Sequence, residues 1–338
     1  MTYWAVLTYL YLSTLLKNKL FSAISLLVLF LMAAFIAPDV SHDFQNYYNG
    51  YYLSNAEYFP EPISRIIFNG ANRSGMSISV SFVIFAFLSI IIKFKAIKKL
   101  ALPVGLFLII YFGKLFLLLD LTQVRAAVAI SLCLLAFEAY IHEKKITTFM
   151  YIMLAFLFHL SSIMFMVIYF VNNRKPNVLF WFMALLIGLA LSFIDIKGYL
   201  FTLMALLHAP ANYLTYVNGT SDLVVNPFNT LACINVIIFL IFCYLRSVFI
   251  DAKMNVAFKL YGISIVSFYM FIDFPVLSFR ISEFFLVYQV VLLSNLIGFI
   301  TERQRWIYIT LMFLFSCVQL YITYNNAGII ESYSMSIA

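Results

Sequence analysis

The sequence predicts an all-α, polytopic integral membrane protein with about eleven or twelve transmembrane helices. Of its 338 residues, 64% are hydrophobic and 10% are charged, whereas a soluble domain has roughly 45–50% and 25%. Long apolar windows also recur along the whole chain, and about 20 apolar residues are needed to span a membrane as a helix. These two observations exclude a cytosolic enzyme, a nucleic-acid-binding protein and a disordered chain. In this class the net charge of +7 indicates basic cytoplasmic loops, so we expect no nucleic acid partner.

Apolar windows define the predicted spans, which we assign to a single transmembrane domain covering residues 1–338. Two windows, 3–16 and 198–208, are weaker than the others because they are short. The stronger windows are 20–37, 76–92, 101–119, 124–141, 146–171, 178–194, 229–249, 256–272, 281–299 and 306–323.

Basic residues between the spans predict the orientation of the chain. Clusters of Lys and Arg mark cytoplasmic loops, and five clusters fall on one side when the spans are counted in order. The opposite loops, 38–75 and 209–228, are then outer loops. The five clusters are Lys17 and Lys19; Lys93, Lys95, Lys98 and Lys99; Lys144 and Lys145; Arg246 and Lys253; and Arg303 and Arg305.

The window 146–171 allows two interpretations. It crosses the membrane once, or it turns back near His159 as two half-helices. In the second case 198–208 is a surface or re-entrant segment instead of a span. Both alternatives keep the orientation of the other spans, so the sequence leaves them open.

The two outer loops have a composition unlike the rest of the chain. Loop 38–75 is long and rich in Tyr, Asn, Pro and acidic residues, and loop 209–228 has a similar Asn, Tyr and Thr content. Loops longer than about 12–15 residues are usually functional or disordered. Aromatic rings stack on sugar faces and amides bind hydroxyl groups, so these loops suit carbohydrate. The alternative is that the tyrosines belong to the aromatic belt at the membrane interface.

Ionisable residues within apolar segments are candidates for function, because a charge near the bilayer centre costs about 2.5–3.5 kcal/mol on insertion scales. Arg125 and Arg280 each lie near the start of a helix, which places both at the outer leaflet. Arginine offers a planar fork of donors that suits phosphate, so the two could clamp a pyrophosphate. The alternative is structural ion pairing, of Asp120 with Arg125 and of Asp273 with Arg280. Glu283 could also pair with Arg280 three residues away.

His159 lies in the middle of the longest apolar window, with only Ser161 and Ser162 as polar neighbours. A lone histidine in an apolar helix is more often structural. Histidine is also the natural proton acceptor near neutral pH, and its place at the possible break of a re-entrant pair favours a functional role.

Three features in order resemble the EpsG-like and Wzy-type polysaccharide polymerases of bacteria. The first is an outer loop with Asp43-x-x-x-Tyr47-Tyr48 followed by Glu61-Pro62. The second is a helix that opens with Arg125 and small residues. The third is a Phe-His159-Leu-Ser segment after a basic turn. The chain departs from the family pattern at two places. Gln123 precedes the arginine and Ala126 follows it where the family has Gln, and the tail Glu331-Ser332-Tyr333 is only loosely similar to the family's final Tyr-rich loop.

The resemblance implies an inverting glycosyltransferase of the GT-C type. Such an enzyme transfers an undecaprenyl-diphosphate-linked glycan onto the next lipid-linked repeat unit at the outer face of the bacterial inner membrane. Its partners are the lipid-linked donor and acceptor, the lipid bilayer and a separate chain-length regulator, and no metal or other cofactor is expected.

The resemblance also assigns roles to the candidate site residues. Arg125 and Arg280 would bind the pyrophosphate, and His159, Asp43 or Glu61 would remove the proton of the acceptor. The supporting residues are Asp120, Gln123, Glu283 and Asp273.

Three other functions compete with a polymerase. A flippase for lipid-linked oligosaccharides would use intramembrane charges as a pathway, but such transporters often show internal repeats, and none is visible here. A related lipid-sugar ligase would use the same substrate class. An acyltransferase acting on surface sugars would need a catalytic histidine in an acyl-transfer context, which no histidine here has.

Overall fold

The computed structural model describes residues 1–16, 18–41, 43–53, 59–206, 225–325 and 330–336. Within these ranges the chain is helical, and extended pairing is limited to two isolated bridges. The predicted all-α, polytopic class is therefore confirmed. The α-helices are α1 (Thr2–Leu16), α2 (Lys19–Ala34), α3 (Asp43–Leu53), α4 (Pro62–Arg73), α5 (Ile78–Lys99), α6 (Val104–Tyr111), α7 (Val124–Ile141), α8 (Lys145–Phe158), α9 (Val178–Leu191), α10 (Ile196–Leu206), α11 (Thr230–Tyr244), α12 (Ala252–Met270), α13 (Pro275–Leu296) and α14 (Arg305–Asn325).

Two longer segments in the described part of the chain are helical but not α-helical. A π-helix, Phe112–Asp120, continues directly from α6, and a 3₁₀ segment, Leu160–Phe170, follows α8. Short 3₁₀ turns follow α11 and α13 and precede α14. Most elements coincide with the predicted windows, although α5 extends to Lys99, well beyond the predicted end at 92.

Four helical stretches in the described part of the chain are long and apolar enough to cross a membrane. They are Ile78–Lys99, Val124–Ile141, Pro275–Phe299 and Glu302–Asn325. Five shorter apolar helices of 10–17 residues accompany them. The total of eleven or twelve crossings stays a prediction.

The chain divides into two compact units. The first contains residues 1–170 and 290–338, and the second contains residues 171–289. All residues of the candidate site that the structure brings together belong to the first unit.

The core of the first unit is formed by α7 and by the helix that runs from Val104 to Asp120. Nearly every side chain of both elements is buried, as expected for helices that are apolar on all sides. Helices α5 and α8 both pack along α7. Because Lys99 of α5 forms an ion pair with Glu138 of α7 at 3.3 Å, both helices run in the same direction. We call the end marked by this pair the basic end.

The window 146–171 folds back at His159. Helix α8 ends there, and the 3₁₀ segment returns along it, so that the Tyr169 hydroxyl donates to the Lys145 carbonyl at 2.8 Å. The Tyr169 ring also lies 6.1 Å from that of Tyr140, near the end of α7. The structure thus selects the two half-helices over the single crossing, with His159 at their tip.

The C-terminal segment 330–336 pairs with the chain just before α3. Bridges join Ile36 to Met335 and Ser41 to Ile330, and the Tyr333 hydroxyl donates to the Met32 carbonyl at 3.1 Å. This pairing fixes the chain where it leaves α2 and enters the predicted outer loop.

The second unit contains α9 to α12 and most of α13. Its helix α10 is described over Ile196–Leu206, and the next residues, including the end of the predicted window 198–208, lie outside the described part of the chain. Whether 198–208 is a span or a surface or re-entrant segment therefore stays a prediction. Most of the predicted outer loop 209–228 lies outside the described residues.

Candidate active site

Glu61, Arg125 and His159 meet in the first unit, although they are far apart in the sequence. Arg125 Nη1 donates to Glu61 Oε2 in a close ion pair. The other carboxylate oxygen, Oε1, lies 3.3 Å from His159 Nδ1 and accepts a bond from the Leu160 amide at 3.3 Å. One carboxylate thus holds a guanidinium and an imidazole, and the three residues form the candidate site.

Local structure explains how each of these side chains is placed. Glu61 is the N-cap residue of α4 with Pro62 as the first helical residue, a position that proline favours because its fixed φ suits a helix start. Arg65 on the first turn holds the incoming chain through the carbonyls of Phe59 and Pro60. His159 ends α8, whose last carbonyl, that of Phe158, accepts the Ser64 hydroxyl of α4 at 2.8 Å.

Aromatic rings form one wall of the site. The Arg125 guanidinium carbon lies 5.5 Å from the Tyr47 ring centroid and 5.7 Å from that of Phe59, within the range of a cation–π contact. Tyr47 and Phe59 both stack on Phe68 of α4. The predicted outer loop 38–75 therefore packs into the bundle, and its helices α3 and α4 build part of the site.

The site lies deeper in the bundle than the N-terminal end of α5. Phe158, the neighbour of His159, contacts Phe85 with ring centroids 6.3 Å apart, and Phe44 at the start of α3 stacks on Phe82 at 5.1 Å. Phe85 lies about 10 Å along the helix axis from Ile78, the first residue of α5. The carboxylate, guanidinium and imidazole thus lie well inside the bundle.

The surroundings of Glu61 make its carboxyl group strongly acidic. Burial by itself would raise the pKa of Glu61, but the adjacent imidazole of His159 and the charge of Arg125 outweigh it and lower this pKa to about 2. Opposite charge and hydrogen bonding to the charged form both have this effect. Glu61 is consequently ionised throughout the physiological range and is a weak proton acceptor.

Arg125 and His159 keep capacity for a ligand. Their side chains are 20% and 22% exposed, whereas that of Glu61 is 3% exposed. Arg125 Nε has no hydrogen-bond partner among the described residues. His159 Nδ1 also has no hydrogen-bond partner among the described residues, although Glu61 Oε1 lies 3.3 Å away. In a neutral imidazole that carries its proton on Nδ1, Nε2 is the acceptor.

Asp120 does not pair with Arg125, which makes that structural alternative wrong. Its carboxylate binds the ammonium group of Lys93 at 2.7 Å. The prediction that Lys93 belongs to an exposed basic loop is wrong, because Lys93 is itself buried. The physical reason is that the buried carboxylate of Asp120 needs a nearby cation.

Two other predicted residues of the first unit lie on or next to elements that carry site residues. Asp43 begins α3, four residues before Tyr47. Gln123 is the N-cap residue of α7, two residues before Arg125.

The remaining predicted residues lie in the second unit. Arg280 is exposed and Glu283 is half-buried on α13. Asp273 Oδ2 accepts the backbone amides of Ile196 and Lys197 at the start of α10, at 2.7 and 3.4 Å. Among the described residues it forms no ion pair with Arg280, so the second structural alternative is also wrong. The pyrophosphate clamp by Arg125 and Arg280 stays a prediction.

Fold and site together define a multi-pass, all-α membrane protein with a recessed Glu–Arg–His cluster. The chain belongs to the EpsG family, whose sequence model matches residues 19–335. Membership confirms the predicted family and supports a polysaccharide-polymerase-like, glycosyltransferase-like function in general terms. No curated protein and no solved structure matches the chain.

Proposed function

We propose that this chain is a membrane polysaccharide polymerase that moves an undecaprenyl-diphosphate-linked glycan en bloc onto the next lipid-linked repeat unit. The observation that carries the proposal is the recessed cluster of Glu61, Arg125 and His159 in a member of the EpsG family. It combines a fixed cation for a leaving pyrophosphate with a histidine that can accept a proton.

The reaction is a substitution at the anomeric carbon of the donor. A hydroxyl group of the acceptor glycan attacks that carbon, the bond from carbon to the pyrophosphate oxygen breaks, and undecaprenyl diphosphate leaves. The acceptor proton passes to the enzyme. A single attack from the opposite side inverts the anomeric configuration, as expected for a GT-C-type enzyme.

Arg125 is the residue we propose to stabilise the leaving group. Negative charge grows on the pyrophosphate as the bond breaks, and donors fixed in a water-poor site stabilise such charge best. Glu61 and the aromatic wall hold the guanidinium in place before substrate arrives. Arg280 is the second proposed donor, and Arg280→Ala should then reduce polymer formation as well.

His159 is the residue we propose as the general base. A base is most effective when its pKa lies near the working pH, and the pKa of Glu61, about 2, is far below it. Glu61 would instead orient the imidazole, as the carboxylate of a catalytic triad does. Asp43 stays the alternative base of this scheme.

The proposed site faces the outside of the bacterial inner membrane. This orientation follows from the basic clusters of the sequence, and it matches a substrate whose glycan is already outside. A separate chain-length regulator would set the size of the polymer.

The decisive experiment uses the purified full chain in liposomes. Lipid-linked oligosaccharide is extracted from a host strain that lacks this chain and is added without any nucleotide sugar. We expect a ladder of lengthening glycans on a gel, with inverted linkages between repeat units by NMR. No polymer under these conditions, combined with lipid-linked units trapped at the cytoplasmic face of the deletion strain, would instead indicate a flippase.

A further inference from the structure

A second group of polar side chains is buried close to the candidate site. Lys93 Nζ lies 2.7 and 2.9 Å from the two carboxylate oxygens of Asp120. Ser89 donates to Oδ1 at 2.6 Å and Tyr111 donates to Oδ2 at 2.7 Å. The side chains of Lys93 and Asp120 are 4% and 0% exposed, so this ion pair, with its two hydroxyl donors, is closed to solvent.

The π-helix is what brings Asp120 to this group. Asp120 lies nine positions after Tyr111, which is about two and a half turns of an α-helix and would place the two side chains on opposite sides. A π-helix bonds each residue to the fifth one along and winds more slowly, so nine residues make about two turns and both side chains share a face. The short hydrogen bond between them requires this winding. Such segments are rare and occur frequently at functional sites.

Asp120 is joined to Arg125 by a short, well-bonded turn. The Leu121 amide donates to the Phe116 carbonyl at 3.1 Å, and the Gln123 amide donates to the Leu118 carbonyl at 3.0 Å. The Thr122 hydroxyl donates to the Leu117 carbonyl at 3.0 Å. Helix α7 begins at Val124, directly after Gln123, and Arg125 is its second residue. The turn transmits the position of Asp120 to the start of α7.

We propose that Lys93 is a positioning residue for Arg125. Its ion pair with Asp120 fixes the end of the π-helix against α5, and this fixes the depth and direction from which Arg125 reaches the leaving pyrophosphate. The inference rests on the proposed function for the role of Arg125.

The ion pair of Lys93 and Asp120 is better suited to positioning Arg125 than to stabilising the fold. A buried ion pair contributes little net stability when compared with apolar residues of similar size, whereas removal of one partner leaves a costly unpaired charge. A reacting group that is displaced by about 1 Å can lose about 100-fold in rate. The solvent-excluded pair of Lys93 and Asp120 can prevent that displacement, because Asp120 lies only five residues before Arg125.

The test compares Lys93 with Lys99, a second lysine of α5 that also pairs with an acidic residue. Lys99 binds Glu138, which lies far along α7 from Arg125, so Lys99→Met is the matched control. Lys93→Met/Asp120→Leu removes the pair without burying a lone charge, and Lys93→Arg keeps the positive charge. All variants are purified as full chains and accepted only if they are monodisperse and melt close to the wild type.

Two readouts are measured on these proteins. The first is kcat and KM with lipid-linked oligosaccharide from the deletion strain. The second is hydrogen–deuterium exchange of residues 121–127. For the double variant we expect kcat to fall at least tenfold with KM changed less than threefold, and exchange of 121–127 to accelerate at least tenfold. Lys99→Met should change neither quantity by more than twofold, and Lys93→Arg should stay within about threefold of the wild-type kcat.

A folded double variant with wild-type kcat and unchanged exchange overturns the inference, and so does an equal loss in Lys99→Met. If the wild type forms no polymer, the proposed function fails separately, and the exchange data alone then decide whether Lys93 holds this segment.

Discussion

The first unit contains two groups of buried charge that differ in how completely they are satisfied. Asp120 meets an ammonium and two hydroxyl groups, and its pair with Lys93 is almost fully enclosed. Arg125 and His159 are each about a fifth exposed, and Arg125 Nε has no partner among the described residues. A saturated, closed pair can hold structure, whereas a partly open group with spare donors can bind and react. Intramembrane charge alone therefore does not identify a catalytic residue.

The largest expected effect is the loss of turnover caused by Arg125→Ala, which removes the cation from the partly exposed cluster of Glu61, Arg125 and His159. Loss of one fixed donor at a developing oxyanion typically costs about 10²–10³ in rate, and this change also leaves Glu61 without its cationic partner. We expect a fall in turnover of about 1,000-fold, measured as polymer formed per folded molecule in liposomes. In cells, single lipid-linked repeat units should accumulate.

The control for this change is Arg73→Ala. Arg73 is an exposed arginine at the end of α4 and should keep activity within twofold. Long polymer at normal yield from Arg125→Ala would show that the open group does not bind the pyrophosphate.

The second effect concerns the proton acceptor. His159→Gln keeps a polar side chain at the tip of the half-helices but cannot accept the proton, and general base catalysis typically contributes about 10²–10⁴. We expect kcat to fall about 100-fold or more, with KM for the lipid-linked substrate nearly unchanged.

His142→Gln is the matched control, since His142 is an exposed histidine beside Glu138 at the basic end of α7. If both variants retain normal kcat, a residue other than His159, with Asp43 as the first candidate, must take the proton.

The third effect is on stability and its dependence on pH. The pKa of Glu61 is about 2 in the folded chain, below its usual value near 4.5, so the folded state is stabilised when the carboxylate is ionised. This contribution is complete above about pH 4.5 and is lost as the pH falls toward 2. The shift corresponds to about 3 kcal/mol.

Glu61→Gln should therefore lower the melting temperature at pH 7, and the difference from the wild type should shrink as the pH approaches 2. Glu302→Gln, at an exposed ion pair, should show almost no difference at any pH. A gap between Glu61→Gln and the wild type that stays constant down to pH 2 would contradict the lowered pKa.

The sequence predicts the parts of this molecule that depend on local composition. Apolar windows locate the helices because burial in lipid requires them, and the rarity of charge identifies Arg125 and His159. The contact of Glu61 with both residues depends on tertiary packing across almost a hundred residues, which a single sequence does not encode as a pattern. The sequence pattern places Lys93 in a basic loop because three lysines follow it closely, and nothing local indicates the π-helix that carries its partner inward.

The smallest expected effect concerns the fold-back at His159. The cluster of Glu61, Arg125 and His159 requires this fold-back, whereas the pair of Lys93 and Asp120 does not. The Tyr169 hydroxyl donates to the Lys145 carbonyl, and a single such bond contributes about 0.5–1.5 kcal/mol. Tyr169→Phe should lower the melting temperature by a few degrees at most and leave kcat within about twofold, because Ser64 and Glu61 still hold the tip at Phe158 and Leu160. Tyr151→Phe on α8 is the control, since its hydroxyl has no hydrogen bond among the described residues.

The fold-back also returns the chain to the Lys145 end just before Arg174, so Arg174→Cys should react with an impermeant thiol reagent only from the cytoplasmic side. Labelling from outside would require a single crossing of 146–171 and would separate His159 from the depth at which Glu61 and Arg125 meet.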